Sequence, residues 1–128
     1  MTRLRTPLKN ASGLGSAKSG LDHWVIQRLT ALGLCVLTIW FAVFVIGLAA
    51  ASPGEVVQAV GAPVNTILLL LFLGLTYWHS MLGIQVILED YVHMQWLSLL
   101  LQIANRAIFF ACAAVSMVSV LRMAFSTS

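Results

Sequence analysis

No charged residue occurs between Arg28 and Glu55, and none between Glu55 and Glu89. Each gap holds an apolar run close to the ~20 residues that a helix needs to cross a hydrocarbon core of ~30 Å. Composition agrees: 60% of the chain is hydrophobic and 9% charged, against ~45–50% apolar and ~25% charged in soluble domains. Mean hydropathy is +0.96. A soluble fold is excluded on these grounds, and so is disorder, which needs the opposite bias.

The pattern predicts an all-α protein with three transmembrane helices, at about 25–51, 64–88 and 97–121. The cluster Ala50-Ala51-Ser52-Pro53-Gly54 ends the first, because proline and glycine do not continue a helix. The third is apolar except for Arg106, roughly two to three turns from its start. Residues 1–20, with Ser12, Gly13, Gly15, Ser16, Ser19 and Gly20, are expected to form a flexible polar tail before a membrane domain over 21–124. Residues 125–128 form a short tail at the other end. The first twenty residues lack the apolar core of a signal peptide, so the first span is expected to act as its own insertion signal.

A net charge of +3 raises the question of nucleic acid, but the distribution points elsewhere. Five of the seven basic residues, Arg3, Arg5, Lys9, Lys18 and Arg28, lie at or before the start of the first span. The loop after it has no Lys or Arg. By the positive-inside rule the N-terminus is cytoplasmic, and three spans put the C-terminus on the other side. The basic excess therefore reads as topology, with membrane lipid and not nucleic acid as the partner. Cys35 and Cys112 fall inside spans, where cysteine behaves as a small buried hydrophobe.

Polar side chains at membrane depth are costly and usually functional. His79 lies ~16 Å along the helix from Asp90, near mid-membrane. At ~100° per residue it shares a face with Thr76, Gly83 and Asp90. Two readings fit: a histidine bonded to a neighbouring helix, with small residues serving close packing, or a haem axial ligand, since neutral imidazole suits iron in a dry site. No other histidine sits at this depth, because His23 precedes the first span and His93 follows the second. If His79 binds a haem with two axial side chains, the second ligand comes from another chain.

Glu89-Asp90-Tyr91-Val92-His93 closes the second span, with Trp24 and Trp96 nearby. This is either an ordinary interfacial belt or a quinone head-group pocket. In the pocket reading Tyr91 donates to a carbonyl oxygen, and Asp90 orients a cation or relays protons from water. Arg28 either snorkels to head groups or pairs with a haem propionate. It is expected at the same cytoplasmic level as Asp90 and Tyr91. Arg106 is read as a contact to lipid phosphate, a propionate, or Glu89 or Asp90.

The stretch from His79 through Gly83 to Asp90-Tyr91 resembles the signature of the succinate dehydrogenase hydrophobic membrane anchor subunit, the smaller anchor of respiratory complex II. Gly15-Ser16-Ala17-Lys18-Ser19-Gly20 and His23-Trp24 through Gln27-Arg28-Leu29-Thr30-Ala31 look like the N-terminal pattern of its alphaproteobacterial and mitochondrion-related branch. The resemblance implies His79 as one axial ligand of haem b, shared with a cytochrome b anchor subunit, and Arg28 near a propionate. It implies Tyr91 as a donor to ubiquinone and Asp90 as its charged neighbour. It further implies iron–sulfur and flavoprotein subunits as partners, a bacterial inner membrane, and a chain that catalyses nothing alone. Two other readings remain open on the residues themselves: a cofactor-free membrane protein with a His79, Glu89 and Asp90 proton relay, and a homodimeric cytochrome with His79 supplied twice.

Overall fold

The computed structural model describes residues 17–126, without the side chains of residues 17–20 and His23. It comprises helices α1 (Ala17–Gly47), α2 (Pro53–Gly61), α3 (Pro63–Tyr91) and α4 (Gln95–Ser126). α1, α3 and α4 are each long and apolar enough to cross a membrane. The three expected spans are present, each with somewhat different ends. The expected tail over residues 1–20 falls largely outside the described residues, and α1 is already helical from Ala17.

α1 stops at Gly47, where the chain tightens into turns: the Leu48 and Ala49 amides donate to the Val45 and Ile46 carbonyls. The breaker cluster then starts a further short helix instead of a loop. Ser52 caps α2: its Oγ accepts from the Glu55 amide at 3.4 Å, and its own amide donates to Glu55 Oε2 at 2.7 Å. Pro53 occupies the first turn, where a missing N–H costs nothing. The Ser52 backbone N–H, followed by the Ser52 hydroxyl, holds the Glu55 carboxyl below the usual value of 4.5.

The far end of α2 is tied to the start of α3. A helix leaves its last carbonyls without partners, and here the Ala62 amide, Asn65 Nδ2 and Thr66 Oγ1 bond the carbonyls of Gln58, Ala59 and Val60. Residues 92–94 are all that separates α3 from α4, so these helices run antiparallel as a tight hairpin.

α3 is the centre of the bundle. It touches α1, α2 and α4, whereas α1 and α4 make no contact with each other. Only Val60, Thr66, Leu69, Met81, Leu82 and Asn105 are buried among the described residues. Large apolar side chains face outward along every span, from Leu29 and Val36 on α1 to Val115 and Phe125 on α4. That surface suits lipid tails or neighbouring subunits as solvent, and it would be a severe liability in water.

Candidate functional site

The α1–α3 seam is set by small and aromatic residues. A methyl group at Gly33 would stand 3.2 Å from Leu75 Cδ1, so the glycine allows the close approach. Further along, Phe41 and Phe72 stack with centroids 4.5 Å apart. At the other end of this seam Thr30 Oγ1 lies 3.0 Å from His79 Nδ1. The half-buried histidine is therefore anchored through one ring nitrogen. Its Nε2 has no hydrogen-bond partner among the described residues.

The same Thr30 oxygen lies 2.9 Å from the Ile26 carbonyl and 3.0 Å from the Gln27 carbonyl. This back-bond to the preceding turn is the usual way a helical threonine satisfies its hydroxyl. Thr76 does the same, donating to the Phe72 carbonyl at 2.7 Å, and makes no hydrogen bond to His79 among the described residues. Gly83, one turn beyond His79, has open space where a Cβ would stand. The arrangement fits a haem: one ring nitrogen is fixed, the other is free, and a residue without a side chain lies one turn away. A porphyrin supplies four of the iron's ligands itself. No group of three His, Cys, Asp or Glu side chains able to hold a bare metal ion occurs among the described residues.

The remaining candidates are not gathered around His79. Antiparallel pairing of Thr30 with His79 puts Arg28 only two residues, ~3 Å along the axis, from the histidine's level. The expectation that Arg28 shares a level with Asp90 and Tyr91 is thus corrected, because those residues lie eleven and twelve positions beyond His79. Arg28 is also turned ~160° around α1 from Thr30. It is exposed, with its guanidinium 5.5 Å from the Trp24 ring centre. Asp90 is exposed at the end of α3, and Tyr91 is 78% exposed. Glu89 accepts from Gln85 Nε2 at 2.8 Å. No ion pair joins Arg28 or Arg106 to Glu89 or Asp90 among the described residues.

On the opposite side of α3, Asn105 is buried and its Nδ2 donates to the Met81 carbonyl at 3.1 Å. Tyr77 and Ser116 share a hydrogen bond of 2.8 Å. An apolar groove of about 360 Å³, lined in part by Gly74, Tyr77, Met81, Phe109 and Met117, lies on this side, away from His79. Thr30 and Asn105 both escaped the sequence reading. A threonine in a span and an asparagine beside the more conspicuous Arg106 were the signals. Neither reveals its partner without the helix register.

Apolar spans arranged around one central helix that carries an anchored histidine define a multi-pass helical membrane subunit. The chain belongs to the succinate dehydrogenase/fumarate reductase transmembrane subunit family, whose sequence profile matches residues 2–121. It is similar to the succinate dehydrogenase hydrophobic membrane anchor subunit of Rickettsia bellii, at 35% identity over 88 residues, covering 69% of this chain and 70% of that one. The same-named subunits of Rickettsia conorii and Paracoccus denitrificans are 30% identical over 93 residues and 32% over 89. These alignments cover 69% and 70% of this chain, and 71% and 69% of the relatives. No solved structure matches the chain. Its role is therefore that of a membrane anchor subunit of succinate dehydrogenase/fumarate reductase, within a complex of several subunits.

Proposed function

We propose that this chain anchors a succinate:ubiquinone oxidoreductase in a bacterial inner membrane, with its N-terminus cytoplasmic. There it supplies one axial ligand to haem b and one wall of the ubiquinone-reduction site. The observation that carries the reading is His79, held by Thr30 through Nδ1 with Nε2 free. A single ligand on this chain requires a second from the cytochrome b anchor subunit. Haem bound there supplies a one-electron relay site in the respiratory chain.

Tyr91 and Asp90 serve the quinone. Both are exposed at the end of α3, where water and a docking iron–sulfur subunit would reach them. Ubiquinone reduction takes two electrons and two protons. The Tyr91 hydroxyl donates to a quinone carbonyl and the Asp90 carboxylate draws protons from the aqueous side. Electrons arrive from succinate, a tricarboxylic acid cycle substrate, oxidised in the flavoprotein subunit and passed through the iron–sulfur subunit. Arg28 is the propionate partner: it sits at the depth of His79 and forms no ion pair among the described residues.

A proton relay through His79, Glu89 and Asp90 fits less well. Proton transfer works over hydrogen-bond distance, and ~15 Å of helix without another titratable side chain separates His79 from Glu89. The deciding experiment is purification of the native complex from its own membrane, with a reduced-minus-oxidised spectrum and mass identification of every subunit. A b-type spectrum with dehydrogenase subunits is expected. Haem with this chain alone would establish the homodimer, and absence of both would establish the relay.

A further inference from the structure

Thr30 lies within hydrogen-bond distance of three groups: the Ile26 carbonyl at 2.9 Å, the Gln27 carbonyl at 3.0 Å and His79 Nδ1 at 3.0 Å. A hydroxyl has one proton to donate. Carbonyl oxygens only accept, so if the hydroxyl instead gave its proton to Nδ1, two oxygens would face Oγ1 at contact distance with no hydrogen between them. The arrangement is consistent when the hydroxyl donates to a carbonyl of its own helix and its lone pair accepts from His79. That requires the proton of the neutral imidazole to reside on Nδ1.

We propose that Thr30 is a positioning residue that fixes the tautomer of His79: it accepts the Nδ1–H and thereby leaves the Nε2 lone pair free to ligate iron. This rests on the reading of His79 as a haem ligand given above. An acceptor on the second nitrogen does two things to a metal-bound imidazole. It fixes the ring plane, and it raises the electron density that the ligating nitrogen offers. The second effect favours the ferric state, so Thr30 lowers the reduction potential of the haem. The geometry supports both roles, because Thr30 is itself pinned by the preceding turn of α1 and Gly33 holds that helix close to α3.

Volume and hydrogen bonding at this position separate cleanly. Thr30→Val keeps the shape and removes the acceptor; Thr30→Ser keeps the acceptor and loses a methyl group. Both are compared with the unaltered protein in the intact, membrane-extracted complex, by redox titration of the haem and by its low-temperature electron paramagnetic resonance spectrum. His79→Ala is recorded first, and its haem spectrum must change. An unchanged spectrum there overturns the haem reading and this proposal with it. Given that change, Thr30→Val is expected to raise the reduced-to-oxidised haem ratio at fixed poise about fivefold, the ratio carried by one ordinary hydrogen bond. The highest g value should move with it. Thr30→Ser should restore both. Equal shifts in the two variants would make Thr30 a packing residue, and no shift in either would remove it from the site; each result overturns the proposal.

Discussion

The two seams that meet α3 are built differently. Against α4, α3 makes two polar contacts: Asn105 Nδ2 donates to the Met81 carbonyl, and Tyr77 and Ser116 share a hydrogen bond. Against α1, the contact is half open, with Thr30 on one nitrogen of His79 and no hydrogen-bond partner on the other among the described residues. The first seam spends its polar groups on bonds between the two helices of a hairpin. The second keeps one lone pair in reserve. On the proposed reading, that nitrogen marks the side of the bundle where the haem would be held.

His79→Ala tests that contrast most severely. It should abolish the native haem spectrum of the purified complex while leaving subunit assembly intact; an unaltered spectrum would erase the functional difference between the seams. Tyr91→Phe probes the end of α3. Succinate–ubiquinone reductase activity should fall roughly 10²-fold, the scale of lost proton donation, while succinate oxidation with a soluble dye acceptor stays near normal. Normal quinone turnover would remove Tyr91 from the site.

Asn105→Ala attacks the closed seam and should do the reverse of His79→Ala. The complex should lose roughly 0.5–1.5 kcal/mol of stability, the range for interhelical hydrogen bonds in membranes, read as a lower melting temperature in detergent with an unshifted haem spectrum. The smallest effect concerns neither seam. Glu55 has its carboxyl held low by Ser52, so the α2 cap is complete above the ordinary glutamate value near 4.5 and weakens as pH drops below it. Hydrogen exchange of the α2 amides should speed up in that acid range. Glu55→Gln, which keeps the reciprocal cap without a titrating group, should flatten the response.

Much of the architecture was legible because charge is excluded from lipid. The gaps around Glu55 mark α1 and α3, and the Ser52-Pro53-Gly54 cluster marks a break between them, although α1 itself stops earlier, at Gly47. That cluster also carried an unread message: serine followed three residues later by glutamate is a helix start, and α2 follows. His79 stood out because a lone imidazole at that depth demands a reason. Its tie to Thr30 did not, since which residues of two helices meet depends on register, and register rests on Gly33 against Leu75 and Phe41 against Phe72. The same register lowers Arg28 from the surface to the level of His79. Asn105 went unread for a related reason, being ordinary in sequence and distinctive only once α4 lies on Met81.

Thr30 and Asn105 also differ in when they can be satisfied. During synthesis α1 emerges well before α3, and it must sit in the bilayer without its neighbour. Thr30 is equipped for that wait, because its hydroxyl is already engaged by the carbonyls of its own preceding turn. Asn105 has no such bond within α4; its partner is on α3. The hairpin of α3 and α4 is therefore suited to enter the membrane as a pair, and α1 to be recruited afterwards.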